Sequence, residues 1–223
     1  MPLSQRFTAL FSTKYQSLAL RCFDVLTEHY SESHRHYHTL HHVTACLNQF
    51  DKLILDARHQ GNTDYLSTNY RDLVLALWFH DVIYDPTQQN NEVKSAQFAQ
   101  QWLRQLNESD STIAAVSAYI LTTAHTAQHA VDNTVIDTHA ADTLLDIDLS
   151  ILGAPTAHFQ QYETAIRHEY HFVPGPQYQQ GRIAVLQHFL EQPSIYRTEI
   201  YQRRYEQQAR LNLNAAIQQL RAL

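Results

Sequence analysis

Apolar residues recur at intervals of three and four along nearly the whole chain, and this regularity restricts the possible folds more than any other feature. Phe7, Phe11, Tyr15, Leu18, Cys22, Leu26 and Tyr30 line one face of an expected first helix. Further helices are expected at about 39–58, 69–81, 91–107, 111–125, 138–152, 155–171, 177–191 and 197–222. Start and stop signals agree: Asn91 precedes Glu92, Ser111 precedes an apolar run, Pro155 suits a first helical turn, and Gly153 follows the segment ending at Leu152. Pro174-Gly175-Pro176 reads as a turn between helices. Alternation of the strand type is scarce. The expectation is an all-α fold, one domain over 1–223 of about eight to nine helices, with its core at about 35–155 and the C-terminal helices 155–223 packed on it.

Composition removes several classes of function. The chain holds four glycines (Gly61, Gly153, Gly175, Gly181), too few for the loops that cradle phosphate with backbone N–H groups. A Walker loop, a dinucleotide fingerprint and a nucleophile elbow are all absent, so any phosphate chemistry falls to side chains and a metal. Net charge is −6, and the 16 Lys and Arg are scattered, which argues against a nucleic-acid polymer as partner. Cys22 and Cys46 read as two buried thiols of a reducing compartment. The N-terminal segment lacks an apolar leader, and no stretch approaches ~20 apolar residues. The expectation is a cytoplasmic protein with no membrane contact, with a homodimer among the open oligomeric states.

Position selects among the fifteen histidines. His29, His59, His139, His158 and His188 read as solvated or edge positions. His38 and His42 lie four apart and continue as Cys46 and Phe50 along the inward edge of their expected helix, so both imidazoles are expected to point inward. An isolated core histidine usually has a satisfied hydrogen bond and nothing more; two on one inward line make a site as plausible as that reading. His80 and Asp81 close the strongly apolar segment LVLALWFHDVIYD. An imidazole and a carboxylate at that depth are costly unless a cation offsets their desolvation, whereas a water-exposed helix end needs no such partner. In LLDIDLSIL, Asp148 shares the line of Leu144, Leu145, Ile151 and Leu152. Asp146 sits about 200° away around the helix, and is expected to face solvent or to accept from a ligating histidine.

His42, His80, Asp81 and Asp148 together would give two imidazoles and two carboxylates, leaving positions on an octahedral divalent cation for water and substrate oxygen. A mixed N and O set fits Mn, Fe, Ni, Co or Zn more readily than Mg, which favours oxygen shells.

These residues resemble the HD superfamily of metal-dependent phosphohydrolases, whose pattern is a histidine, a His-Asp doublet and a distant aspartate on helices: here His42, His80-Asp81 and Asp148. RHYHTLHHV, LALWFHDVIYD, NNEVKSA, TTAH, LLDIDLSILG, IRHEY and GRIAVL carry a resemblance to an uncharacterised bacterial branch over about 35 to 215. YHTLHHV is also similar to the histidine pair of cyclic-nucleotide phosphodiesterases, which implies that His38 is a general acid and His42 a ligand. Members with two metals supply extra histidines before the last aspartate; His125, with His129 after it, is the candidate here. The resemblance implies hydrolysis of a nucleotide or related small phosphoester. On that resemblance, metal-activated water would attack phosphorus with Asp81 or Asp148 orienting or deprotonating it, while His38 would protonate the leaving oxygen. Arg35, Arg182 and His125 are the candidates for contact with substrate phosphate, although each arginine equally fits a buried ion pair, with Glu92 or Glu169 as partner. Two rival readings share the same helices: an HD-type di-iron oxygenase and a non-catalytic metal-binding regulatory module.

Overall fold

The computed structural model describes residues 1–59, 64–124 and 135–222. Among these there is no strand, and the helices fall close to the expected segments. The chain divides into two compact units, Met1–Leu144 and Leu145–Leu223.

The first unit opens with a correction. The line from Phe7 to Tyr30 is not one helix: α1 (Leu3–Thr8) and α2 (Gln16–Tyr30) are separated by a bend and a 3-10 turn at Thr13–Tyr15. Ser12 is extended (φ −64°, ψ 156°), and Nε2 of the Gln16 side chain donates to the carbonyls of Thr8 (2.9 Å) and Phe11 (3.0 Å), which a continuous helix would have used. Periodicity misses the break because Phe7 and Phe11 stay together across it, ring centroids 5.3 Å apart. Phe7 also meets Trp78 edge-on at 5.3 Å, and Phe23 meets Trp78 at 6.0 Å, so this corner of the core is aromatic.

Helix α3 (Leu40–His59) buries Val43, Cys46, Leu47, Phe50 and Leu53 at helical spacing. In α4 (Asp64–Phe79) every residue from Leu73 to Phe79 is buried, as befits a helix that packs against α3, α5 (Asn91–Gln105) and α6 (Asp110–Thr122) at once. The turn between α5 and α6 uses Asn107 in the left-handed region (φ 60°), and Ser109 caps α6 by accepting from the Thr112 N–H at 3.1 Å. The NNEVKSA segment also has a physical purpose. Asn91 exchanges two hydrogen bonds with the Asp85 backbone (3.1 and 2.9 Å), and one turn on the Ser95 hydroxyl does the same for Ile83 (3.0 and 3.2 Å). Together they fix the loop that follows His80 and Asp81.

Helix α7 (Thr138–Asp148) begins in the first unit and ends in the second, where it tightens into a 3-10 segment at Leu149–Gly153. The second unit continues with α8 (Thr156–Glu169), α9 (Gly175–Glu191), the short α10 (Glu199–Tyr201), a π-helical turn at Gln202–Glu206, and α11 (Gln207–Arg221). The last expected helix is therefore interrupted at its start by the wider turn. The buried Asn212 of α11 donates to the carbonyls of Leu152 and Ala154, both at 2.8 Å. Glu206 accepts the backbone N–H groups of Ile195 (3.0 Å) and Tyr196 (3.2 Å).

Gly153 lets these pieces approach. A Cβ there would fall 2.5 Å from the Tyr205 Cβ and 2.8 Å from the Tyr205 carbonyl oxygen, whereas one at Gly181 would meet nothing within 4 Å. We expect Gly153→Ala to destabilise the protein by about 1–3 kcal/mol. Gly181→Ala, inside α9, should stabilise it by about 0.5–1 kcal/mol. Urea midpoints of the two variants against wild type check both signs.

Candidate metal centre

Helix α4 stops at Phe79, and the next turn presents His80 and Asp81 at the edge of the apolar core. His80 is 1% exposed. Its Nδ1 lies 3.0 Å from the Leu77 carbonyl, which can only accept, so Nδ1 carries a proton; Nε2 is then a lone-pair donor to a cation in the neutral ring, or a proton donor to Asp81 in the imidazolium of the metal-free protein. That Nε2 is 3.1 Å from the Nε2 of His42 and 3.1 Å from Oδ2 of Asp81; the third side, His42 Nε2 to Asp81 Oδ2, is 3.4 Å. Two imidazole nitrogens this close repel unless a proton or a cation lies between them. Cation–donor bonds of about 2.1 Å at right angles place neighbouring donors about 3 Å apart, so the triangle matches one face of an octahedral ion. Burial opposes ionisation of Asp81, but His80 beside it, then hydrogen bonding from His42 and His80, hold its carboxyl well below the usual carboxylate range.

Cys46 adds a donor that the sequence reading treated only as a buried thiol. Its Sγ lies 3.8 Å from both ring nitrogens of His42, one turn along α3, and His42, Cys46 and His80 offer atoms within 4.8 Å of one another. This buried His-Cys-His group can hold a metal ion. The signal was present in the i, i+4 spacing of His42 and Cys46, which had already placed both on the inward edge.

His38 does not share a helix with His42, because α3 starts at Leu40 and His38 sits in the turn before it. Its half-buried ring lies 6.0 Å from the His42 ring and stacks on Tyr84 at 4.1 Å. Arg35 is buried, and its guanidinium is engaged by Glu32 (2.9 Å) and by the carbonyls of His38 (3.0 Å), Asp81 (2.6 Å) and Val82 (2.8 Å). This is the ion-paired alternative, with Glu32 in place of Glu92 or Glu169.

In the second unit Arg182 likewise pairs with Glu163 and donates to the Tyr162 hydroxyl at 3.0 Å. Burial of Arg182 opposes its charge, but Tyr162 and Glu163 outweigh it and push the pKa up. Asp146 corrects the helical-wheel argument. It is fully buried, not solvent-facing, and accepts from the N–H groups of Arg197 (2.8 Å) and Thr198 (2.7 Å) and from the Thr198 hydroxyl (2.6 Å). Asp148 closes α7, half-buried. His125 and His129 lie outside the described residues.

Compared with known proteins, the chain matches no family model, no curated protein and no solved structure. No helix among the described residues is long and apolar enough to cross a membrane.

Asp146→Ala would leave two N–H groups and a hydroxyl without their acceptor, so we expect a loss of about 2–5 kcal/mol. The denaturant midpoint measures it. For Asp81 the sign runs with pH. Its folded pKa lies below the ordinary value of roughly 3.9, so in metal-free protein ionised Asp81 stabilises the fold above that pH and the contribution fades as pH falls through the folded value. Wild type and Asp81→Asn should differ in thermal midpoint near neutrality and converge in acid.

Proposed function

We propose that the chain is an HD-type metal-dependent phosphohydrolase acting on a nucleotide or related small phosphoester. The observation that carries the reading is the triangle of His42 Nε2, His80 Nε2 and Asp81 Oδ2, built around an adjacent His-Asp doublet with sides of 3.1, 3.1 and 3.4 Å. Its donors suit a divalent transition metal such as Mn, Fe, Ni, Co or Zn, with Mg the less favoured choice for a nitrogen-containing set. The sequence pattern proposes Asp148 as the fourth ligand.

A cation bound there supplies Lewis acidity toward a phosphoryl oxygen and toward water. The protein's own groups do the rest. His80 is fixed for ligation because the Leu77 carbonyl holds its Nδ1 proton. The Asp81 carboxylate, ionised across the working pH range, accepts a hydrogen bond from the attacking water and orients it. His38, outside the triangle but beside it, protonates the departing oxygen.

Elemental analysis of the purified protein should find about one transition metal per chain, and a screen of nucleotides and phosphoesters should find turnover that chelation abolishes and Mn or Co restores. His42→Ala and Asp148→Ala should each lose the metal. Protein that binds no divalent metal on titration would overturn the reading, as would metal-loaded protein inert toward every phosphoester.

A further inference from the structure

We propose that Tyr84 and Arg35 are positioning residues that hold the His38 ring against the His80-Asp81 doublet; this rests on the phosphohydrolase reading, in which His38 is the acid. Because His38 stands in a turn, no helical hydrogen-bond ladder orients it. Beside the edge of the Tyr37 ring at 5.0 Å, Tyr84 and Arg35 restrain it. Tyr84, three residues beyond Asp81, lies on the imidazole at 4.1 Å with the planes 27° apart, whereas the His42 ring meets His38 at 6.0 Å and 72°. The Arg35 guanidinium, 5.5 Å from the centre of the Tyr84 ring, donates from one nitrogen to the carbonyls of both His38 and Asp81, and from another to that of Val82. A single rigid cation thereby ties the backbone of the acid to the backbone of the doublet.

Tyr84 is itself anchored. His34 Nε2 sits 2.8 Å from the Tyr84 carbonyl, and Asn91 pairs with the backbone of Asp85 next to it. The aromatic face that His38 leans on therefore belongs to the same pinned loop that carries Asp81. Arg35 has a side chain 0% exposed and carbonyls on two of its nitrogens, so it acts through its neighbours and not through a phosphate. A general acid works only when its proton points at the departing oxygen, and small misplacements of such groups cost large factors in rate.

The test uses the full chain loaded with Mn and two substrates: a nitrophenyl phosphoester, whose anion leaves without help, and an alkyl phosphoester, whose leaving oxygen needs a proton. Tyr84→Ala should lower kcat on the alkyl ester by about 10- to 100-fold, with a much smaller change on the nitrophenyl ester and with KM and metal content near wild type. Tyr84→Phe, which keeps the stacked ring, should recover most of that loss. Tyr84→Ala added to His38→Ala should cost nothing further. Arg35→Lys should share the dependence on leaving group, whereas a lost phosphate contact would raise KM on both esters alike. In the resting protein, the NMR signals of the His38 ring protons should move downfield when the Tyr84 ring current is removed. Equal losses on both esters, a further loss in the His38→Ala background, or full activity of Tyr84→Ala would overturn this inference while leaving the phosphohydrolase reading intact. Wild-type protein that loads metal but turns over neither of these esters nor any nucleotide or other phosphoester would overturn both.

Discussion

The placing of a buried imidazole and an adjoining, largely covered carboxylate at the end of a helix whose last seven residues are apolar and buried is the constraint on which the first unit depends. From Leu73 to Phe79 every side chain of α4 is buried, so the chain leaves the helix inside the protein, and His80 follows at 1% exposure. Taking such groups out of water costs several kcal/mol each unless they are paired. The compensation is local: the Leu77 carbonyl takes one side of His80, Asp81 and His42 take the other, and each donor holds the next in place. Removing any one would take a polar contact from each of the other two. That dependence explains why the neighbouring loops are so heavily bonded to one another.

Residues 81–85 show the consequence. Arg35 holds the carbonyls of Asp81 and Val82, Ser95 holds both backbone groups of Ile83, His34 meets the carbonyl of Tyr84, and Asn91 holds both backbone groups of Asp85. Tyr30 secures the preceding turn through the Trp78 carbonyl at 3.0 Å. Polar side chains from α2, from the turn before α3 and from α5 thus replace the ladder that ends at Phe79. A loop restrained at consecutive residues presents its side chains with little freedom, as a preorganised ligand or catalytic group requires.

Much of this was legible in the sequence because it follows from local spacing. Helical periodicity gave the class, and the four-residue interval placed His42, Cys46 and Phe50 on one buried edge, where they are. What escaped depends on residues far apart or on a break that preserves spacing. The bend between α1 and α2 keeps Phe7 beside Phe11, so its apolar pattern reads as unbroken. Asp146 looked solvent-facing on a helical wheel because the wheel knows only its own helix. The N–H groups that bury it belong to Arg197 and Thr198, about fifty residues on, and no pattern around LLDIDLSIL announces them. Arg35 is the converse case: a buried cation whose carboxylate is Glu32, three residues before it, and not the more distant Glu92 or Glu169.

The two aspartates of LLDIDLSIL illustrate how a motif can hold unrelated necessities. Asp146 serves the fold of the second unit: it accepts the N–H groups just before α10, as Glu206 does for Ile195 and Tyr196 a few residues earlier, so two carboxylates hold the same connection from opposite sides in sequence. Arg182 belongs to the same economy of charge. Its guanidinium is neutralised by Glu163 and shares the Tyr162 hydroxyl, so a phosphate could recruit it only by displacing a carboxylate already in contact. A buried ion pair releases one member at the cost of leaving the other charge desolvated, several kcal/mol by the usual scale. Substrate charge is therefore better met by groups that face water or by a cation; Arg35 is engaged by backbone carbonyls and Glu32, and Arg182 by Glu163 and the Tyr162 hydroxyl.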